Sequence, residues 1–106
     1  MIDKEMLLLK KFKSLLEQHV RLFSLTAFGS RARGDADDDS DMDVLVVMEE
    51  PESYSLLQAV SDCAWEAELG SGIVISPVVF SRQRWENSPE RDSLLAMAVR
   101  QDGVSV

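Results

Sequence analysis

A small α/β domain, with helices packed on one mixed sheet, is the fold class that this sequence predicts, and three observations predict it. Segments with apolar residues every three or four positions alternate with short β-prone runs, in the order α, β, turn, β, α, β, α. The first two β-prone runs are separated by only about fourteen residues, too few for the usual crossover helix, so at least one strand pair is expected to be antiparallel. The chain has 106 residues, enough for one core and one domain (1–106), and it shows no repeat or low-complexity linker.

Met6, Leu9, Phe12, Leu16 and Val20 recur at helical spacing opposite Lys4, Lys10, Lys11 and Lys13, which predicts an amphipathic helix over 3–19. Residues 21–28 alternate as a strand that ends at Gly29. Ser30 to Gly34 has room for one helical turn, and the aspartate-rich stretch after it reads as a loop. Residues 43–48 form a strand whose unbroken apolar run, Val44 to Met48, is expected to be buried on both faces. Pro51 suits a first helical turn, and Leu56, Val60, Cys63 and Ala67 carry a helix over 52–69 that Gly70 stops. Residues 72–80 are β-branched, and Pro77 confines that strand to an edge or a bulge. Ser88 and Pro89 read as the N-cap and first residue of a last helix with a Leu94, Leu95, Ala98, Val99 stripe, ended by Gly103; residues 104–106 can add a short strand.

The net charge is −8, and six of the ten aspartates (Asp35, Asp37, Asp38, Asp39, Asp41 and Asp43) lie within nine residues. Residues 1–34 carry +4 and residues 35–106 carry −12. So acidic a chain is poorly suited to direct nucleic-acid binding, whose affinity comes from Lys and Arg displacing counterions. The single cysteine, Cys63, excludes an intrachain disulfide and argues against a cysteine-based zinc site. The longest strongly apolar run, Val44 to Met48, is far too short for a bilayer, which needs roughly 18 to 20 residues. A reducing cytoplasm is the expected compartment.

Chemistry concentrates between Gly29 and Asp43. Gly29-Ser30 follows a strand, where glycine permits a sharp turn close to a ligand and unpaired N–H groups suit a phosphate. Asp41 and Asp43, two apart at the start of a strand, share a face and can hold a hard cation such as Mg²⁺. Taken singly, a Gly-Ser is ordinarily just a turn and an acidic loop just solvated. An EF-hand register from Asp35 fails, because Ser40 stands at the turn glycine and Val46 at the final glutamate. No P-loop or G-x-G-x-x-G sequence is present.

Together, Phe28-Gly29-Ser30-Arg31-Ala32-Arg33-Gly34 and Ser40-Asp41-Met42-Asp43 before an apolar strand resemble the signature of the polymerase-β-like nucleotidyltransferase superfamily, and of its minimal nucleotidyltransferases in particular. The resemblance implies that Gly29 and Ser30 hold the phosphates of a nucleoside triphosphate and that Asp41 and Asp43 bind Mg²⁺ and are catalytic. It implies that Arg31 and Arg33 neutralise the triphosphate, the alternative for either being an ion pair with Asp35 or Asp37. Gly34 ends the turn, Ser40 caps the loop, and the first four acids of the cluster are solvated. Many superfamily members carry a third acid on a later strand. Residues 73–80 offer only Ser76 on the relevant face, with Glu66 and Glu68 upstream on the helix. Minimal nucleotidyltransferases are commonly antitoxins of HEPN-domain ribonucleases, so the resemblance implies AMP transfer from ATP to a hydroxyl of such a partner protein. A catalytically weak antitoxin acting by binding and a small-molecule, drug-modifying enzyme are the alternatives. Trp65 and Trp85 are expected in core or partner contacts rather than on adenine, and His19 at a helix end.

Overall fold

The computed structural model describes residues 1–87 and 93–106. Its elements are α1 (Asp3–Glu17), β1 (Leu22–Phe28), α2 (Ser30–Arg33), β2 (Met42–Met48), α3 (Tyr54–Glu68), β3 (Ile75–Ser81), α4 (Arg82–Asn87), α5 (Leu94–Asp102) and β4 (Val104–Ser105). The four strands form one mixed sheet in the order β3-β2-β1-β4. β1 pairs antiparallel with β2 and with β4, whereas β2 and β3, joined through α3, run parallel. The short link between β1 and β2 therefore does make the expected antiparallel pair.

β2 lies inside the sheet, and its apolar run is buried on both faces: Met42, Val44, Leu45, Val46, Val47 and Met48 are all 2% exposed or less. One face carries the larger core, in which Leu8, Leu9, Phe12 and Leu16 of α1 and Val60, Cys63, Ala64 and Ala67 of α3 cover Leu25, Ala27, Val44 and Val46. The other face is smaller. There Leu45, Val47 and Phe80 pack with Phe28, Val78 and Trp85, and with Leu95 and Val99 of α5. Trp85 stacks obliquely on Phe80, with ring centroids 5.2 Å apart.

Several local expectations shift. Pro51 precedes α3 instead of opening it, because the Ser53 hydroxyl accepts from the Leu56 N–H and sets the N-cap. Pro77 sits on β3 at the sheet edge, where a missing donor leaves no ladder partner wanting. The Ser88-Pro89 cap lies outside the described residues; α5 is capped by Ser93, whose hydroxyl accepts from the Ala96 N–H. Leu94 is not core: it is 83% exposed, and Ala96 takes the buried position. Trp65 is likewise exposed on α3, and His19 lies exposed just past α1.

Glu52 ties the approach to α3 to the far end of β3. Its Oε1 accepts from the Ser81 N–H at 2.9 Å and from Arg84 Nη1 at 3.3 Å. Partial burial pushes this carboxyl up, but the donors outweigh burial and hold it below its ordinary 4.5. The unfolded chain thus takes up the proton first as pH falls. The stabilisation is complete above the unfolded value and is lost as pH drops through the folded one. Glu52→Gln is expected to lower stability by about 1 kcal/mol at neutral pH, with the gap to wild type closing under acid conditions. Denaturant unfolding at the two pH values checks this, and a gap that does not change would contradict it.

Candidate active site

The site is built where β1 turns into β2. Gly29 has φ +78° and ψ −159°, a region open essentially to glycine alone. It is also crowded from the side, since a Cβ placed on it would stand 2.5 Å from Asp43 Oδ2. The strand register explains the approach: Phe28 is paired with Asp43 across the β1–β2 ladder. After Gly29 the chain makes the single turn α2, closed by Arg33 N–H to Gly29 O at 3.0 Å, and Gly34 ends it in the left-handed conformation. The Gly-Ser turn and the aspartate pair, fourteen residues apart at their far ends in sequence terms, are therefore side by side in space.

Asp43 is half-buried on β2, on the same face as Leu45 and Val47. Asp41 is exposed and stands one residue before the strand, which begins at Met42. The two carboxylates nevertheless feel one another. Burial first, and then the Asp41 charge, push the Asp43 carboxyl up, while Arg33 pulls it down. A pair of acids that repel at the edge of a core is a donor set that a hard cation relieves, and Mg²⁺ is commonly held by one or two carboxylates completed by substrate phosphates. The residues present fit such an ion.

Ser76 is the β3 residue paired with Asp43, so the neighbouring strand offers a hydroxyl at that level and no acid. Glu68 does not make up the difference, because its Oε2 accepts from the Ile75 N–H at 2.7 Å. Glu66 is exposed on α3, which packs against the opposite face of the sheet. Among the described residues no three metal-ligating side chains come together.

The two arginines have different environments. Arg31 is 7% exposed, and its guanidinium meets Glu5 Oε2 at 3.0 Å, Ser40 O at 2.8 Å and Asp38 O at 3.3 Å. It is thus held by Glu5 and two loop carbonyls within the protein interior, where the resemblance assigned it to the triphosphate and the alternative paired it with Asp35 or Asp37. Glu5, 5% exposed, uses its other oxygen to accept from the Ile2 N–H at the start of α1. Arg33 is exposed, 3.2 Å from Asp35 and 3.4 Å from Asp102, and its charge reaches Asp43. Ser40 caps the loop as expected, accepting from the Asp37 N–H and donating to the Asp37 carboxylate. Asp35, Asp37, Asp38 and Asp39 are all exposed.

Glu5 and Asp102 are the residues that the motif could not supply. For Glu5 a signal existed: counting back four from Leu9 along the buried stripe of α1 lands on an acid, and a buried acid requires a partner. For Asp102, nothing local marks its contact with Arg33.

With this geometry in view, a family model for the nucleotidyltransferase domain matches residues 8–100. The chain belongs to the nucleotidyltransferase domain family. It is 32% identical over 77 residues, covering 71% of this chain and 78% of the relative, to "Putative protein adenylyltransferase MJ0141" of Methanocaldococcus jannaschii. A solved structure described as a "putative minimal nucleotidyltransferase" is 26% identical, with a TM-score of 0.65 and coverage of 99% of this chain and 97% of the other. A toxin-antitoxin crystal structure with AMP-PNP matches with a TM-score of 0.66 at 17% identity, over 98% of this chain and 72% of the other. At that identity the likeness concerns the fold alone. Among the described residues of this nucleotidyltransferase, no helix is long and apolar enough to cross a membrane.

Gly29→Ala tests how closely the nucleotidyltransferase site is packed. The backbone conformation alone costs about 1–3 kcal/mol for a non-glycine residue, and the methyl group displaces the Asp43 carboxylate. Thermal unfolding is expected to show a clear loss of stability, and titration with Mg²⁺-ATP at least a tenfold loss of affinity. Wild-type values in both measurements would contradict the packing.

Proposed function

We propose that this nucleotidyltransferase moves AMP from ATP to a hydroxyl group of a partner protein in a Mg²⁺-dependent reaction. The observation that carries the reading is the approach of the Asp43 carboxylate to Gly29, which joins a turn suited to phosphate with a pair of acids suited to a cation. Gly29 and the Ser30 hydroxyl fix the triphosphate, Arg33 stands exposed beside Asp43 to offset its charge, and Asp41 and Asp43 hold Mg²⁺. When bound, the ion neutralises phosphate charge. The acceptor oxygen attacks the α-phosphorus, the bond to the bridging oxygen breaks, pyrophosphate leaves, and the acceptor proton is released. The contribution of the chain is positioning and charge complementarity. Arg31 acts indirectly, by holding the loop that leads into Asp41.

A protein acceptor is supported by the relative from Methanocaldococcus jannaschii, which is described as a "Putative protein adenylyltransferase". The resemblance to minimal nucleotidyltransferases supports a HEPN-type ribonuclease toxin as the acceptor, with this chain as its antitoxin. The pairing of Ser76 with Asp43 favours a second reading, in which chemistry is weak and the chain neutralises its partner by binding. Incubation of the chain and partner with Mg²⁺ and α-labelled ATP separates the two. Label on the partner, absent with Asp41→Asn/Asp43→Asn, supports transfer. Tight association without label, unchanged in that variant, supports binding alone.

A further inference from the structure

The outward face of α3 is of a kind that a folded chain rarely leaves bare. Tyr54, Leu57, Ser61, Trp65 and Leu69 follow one another at spacings of three and four, so they align along one side of the helix, away from the core stripe of Val60, Cys63 and Ala67. Tyr54 is 83% exposed, Leu57 41%, Trp65 64% and Leu69 55%. Exposed Trp and Tyr in one row are characteristic of protein interfaces, because each supplies a large contact area with few rotatable bonds. Ser61, small and exposed at the middle of the row, lets another helix approach closely.

Charge identifies the occupant. Of the six acids between Glu49 and Gly70, Glu49 and Glu52 pair with Arg82 and Arg84, and Glu50 and Glu68 accept backbone N–H groups, which leaves the charge of Asp62 and Glu66 on a helix that carries no Lys or Arg. Asp62 and Glu66 are exposed on α3 beside the apolar row. A nucleic acid or an anionic membrane is repelled by such a face, and a second copy would set like charges against like. A basic amphipathic helix suits it on both counts, with an apolar stripe to cover Leu57 and Trp65 and flanking Lys or Arg to meet the acids.

We propose that α3 is a docking surface for a basic amphipathic helix of a protein partner. The surface lies on the opposite side of the sheet from Asp43, so a partner helix seated there leaves the nucleotide site open. The proposal needs no nucleotide and no transfer, and it survives if the catalytic reading fails.

The test is site-specific photo-crosslinking of the full chain in the cells that encode it, with benzoylphenylalanine at Ser61 and, as control, at Lys10 on the exposed side of α1. The expected product joins position 61 to a helical, Lys- and Arg-rich segment of another protein. That segment, made as a peptide, is expected to bind the purified chain and to lose at least tenfold in affinity with Trp65→Ala. The thermal midpoint of that variant stays unchanged, because Trp65 is outside the core. A crosslink to a second copy, to an acidic or non-helical segment, or no product above the Lys10 control overturns the proposal. So does peptide binding that is insensitive to Trp65→Ala.

Discussion

Asp43→Asn is expected to remove Mg²⁺-ATP binding while leaving the chain without nucleotide at least as stable as wild type. The two effects have one cause. Asp43 is half-buried beside Asp41, and burial together with that neighbour raises its carboxyl above the ordinary value of 3.8. A folded-state value above the unfolded one means that the native chain holds the proton more tightly, so stability is lost as pH rises from the unfolded value through the folded one. The ionised carboxylate is therefore a burden on the fold, of a kind that a bound cation would relieve. Asparagine keeps the shape beside Gly29 and removes the charge. Titration calorimetry is expected to show at least a 100-fold loss of affinity, about 2.7 kcal/mol, and thermal unfolding no decrease in midpoint. An isotherm like that of wild type would sink the assignment of the cation site. A large fall in midpoint would sink the electrostatic account of Asp43.

Expression of the fold in the sequence was uneven, and the unevenness has physical causes. β2 was legible because burial on both faces requires the five apolar residues from Val44 to Met48 in an unbroken row, which few other structures need. Pro77 limited β3 to an edge or a bulge, since a missing N–H is tolerable only where no neighbour asks for it, and β3 is the edge strand. Helix starts were less legible. Pro51 and Ser53 are two residues apart, and only the hydrogen bond from the Leu56 N–H to the Ser53 hydroxyl decides between them. The stripe expected on α5 fails at Leu94 because a helix crossing a small sheet face buries a narrow arc, and Leu94 falls outside it.

In the site, Gly29 and Asp43 were legible as separate motifs, but their contact depends on the register of β1 against β2. Arg31 was legible only as a positive charge. Its burial is settled by Glu5, which lies 26 positions away on another element, and no local pattern conveys a tertiary ion pair. The same motif thus contains one arginine left beside the acids and one built into the frame.

Glu5→Ala or Arg31→Ala is therefore expected to cost far more stability than an exposed ion pair would. Each partner is nearly inaccessible, and each single substitution strands the other's charge in the interior, which typically costs about 3–5 kcal/mol. By comparison, a truncation at Arg33, whose pairs with Asp35 and Asp102 are exposed, is expected to cost less than about 1 kcal/mol. The apolar double replacement Glu5→Leu/Arg31→Met separates the ion pair from the clamp. It removes both buried charges at once, so much of the lost stability should return. It also leaves the carbonyls of Asp38 and Ser40 without the donors that now hold the loop, and Asp41 follows Ser40 directly. The expected result is near-wild-type denaturant unfolding together with weakened Mg²⁺-ATP affinity. Recovery of both would show that Arg31 serves stability alone. Recovery of neither would show that the pair itself, and not the desolvation it relieves, holds α1 against the Gly29-Ser30 turn.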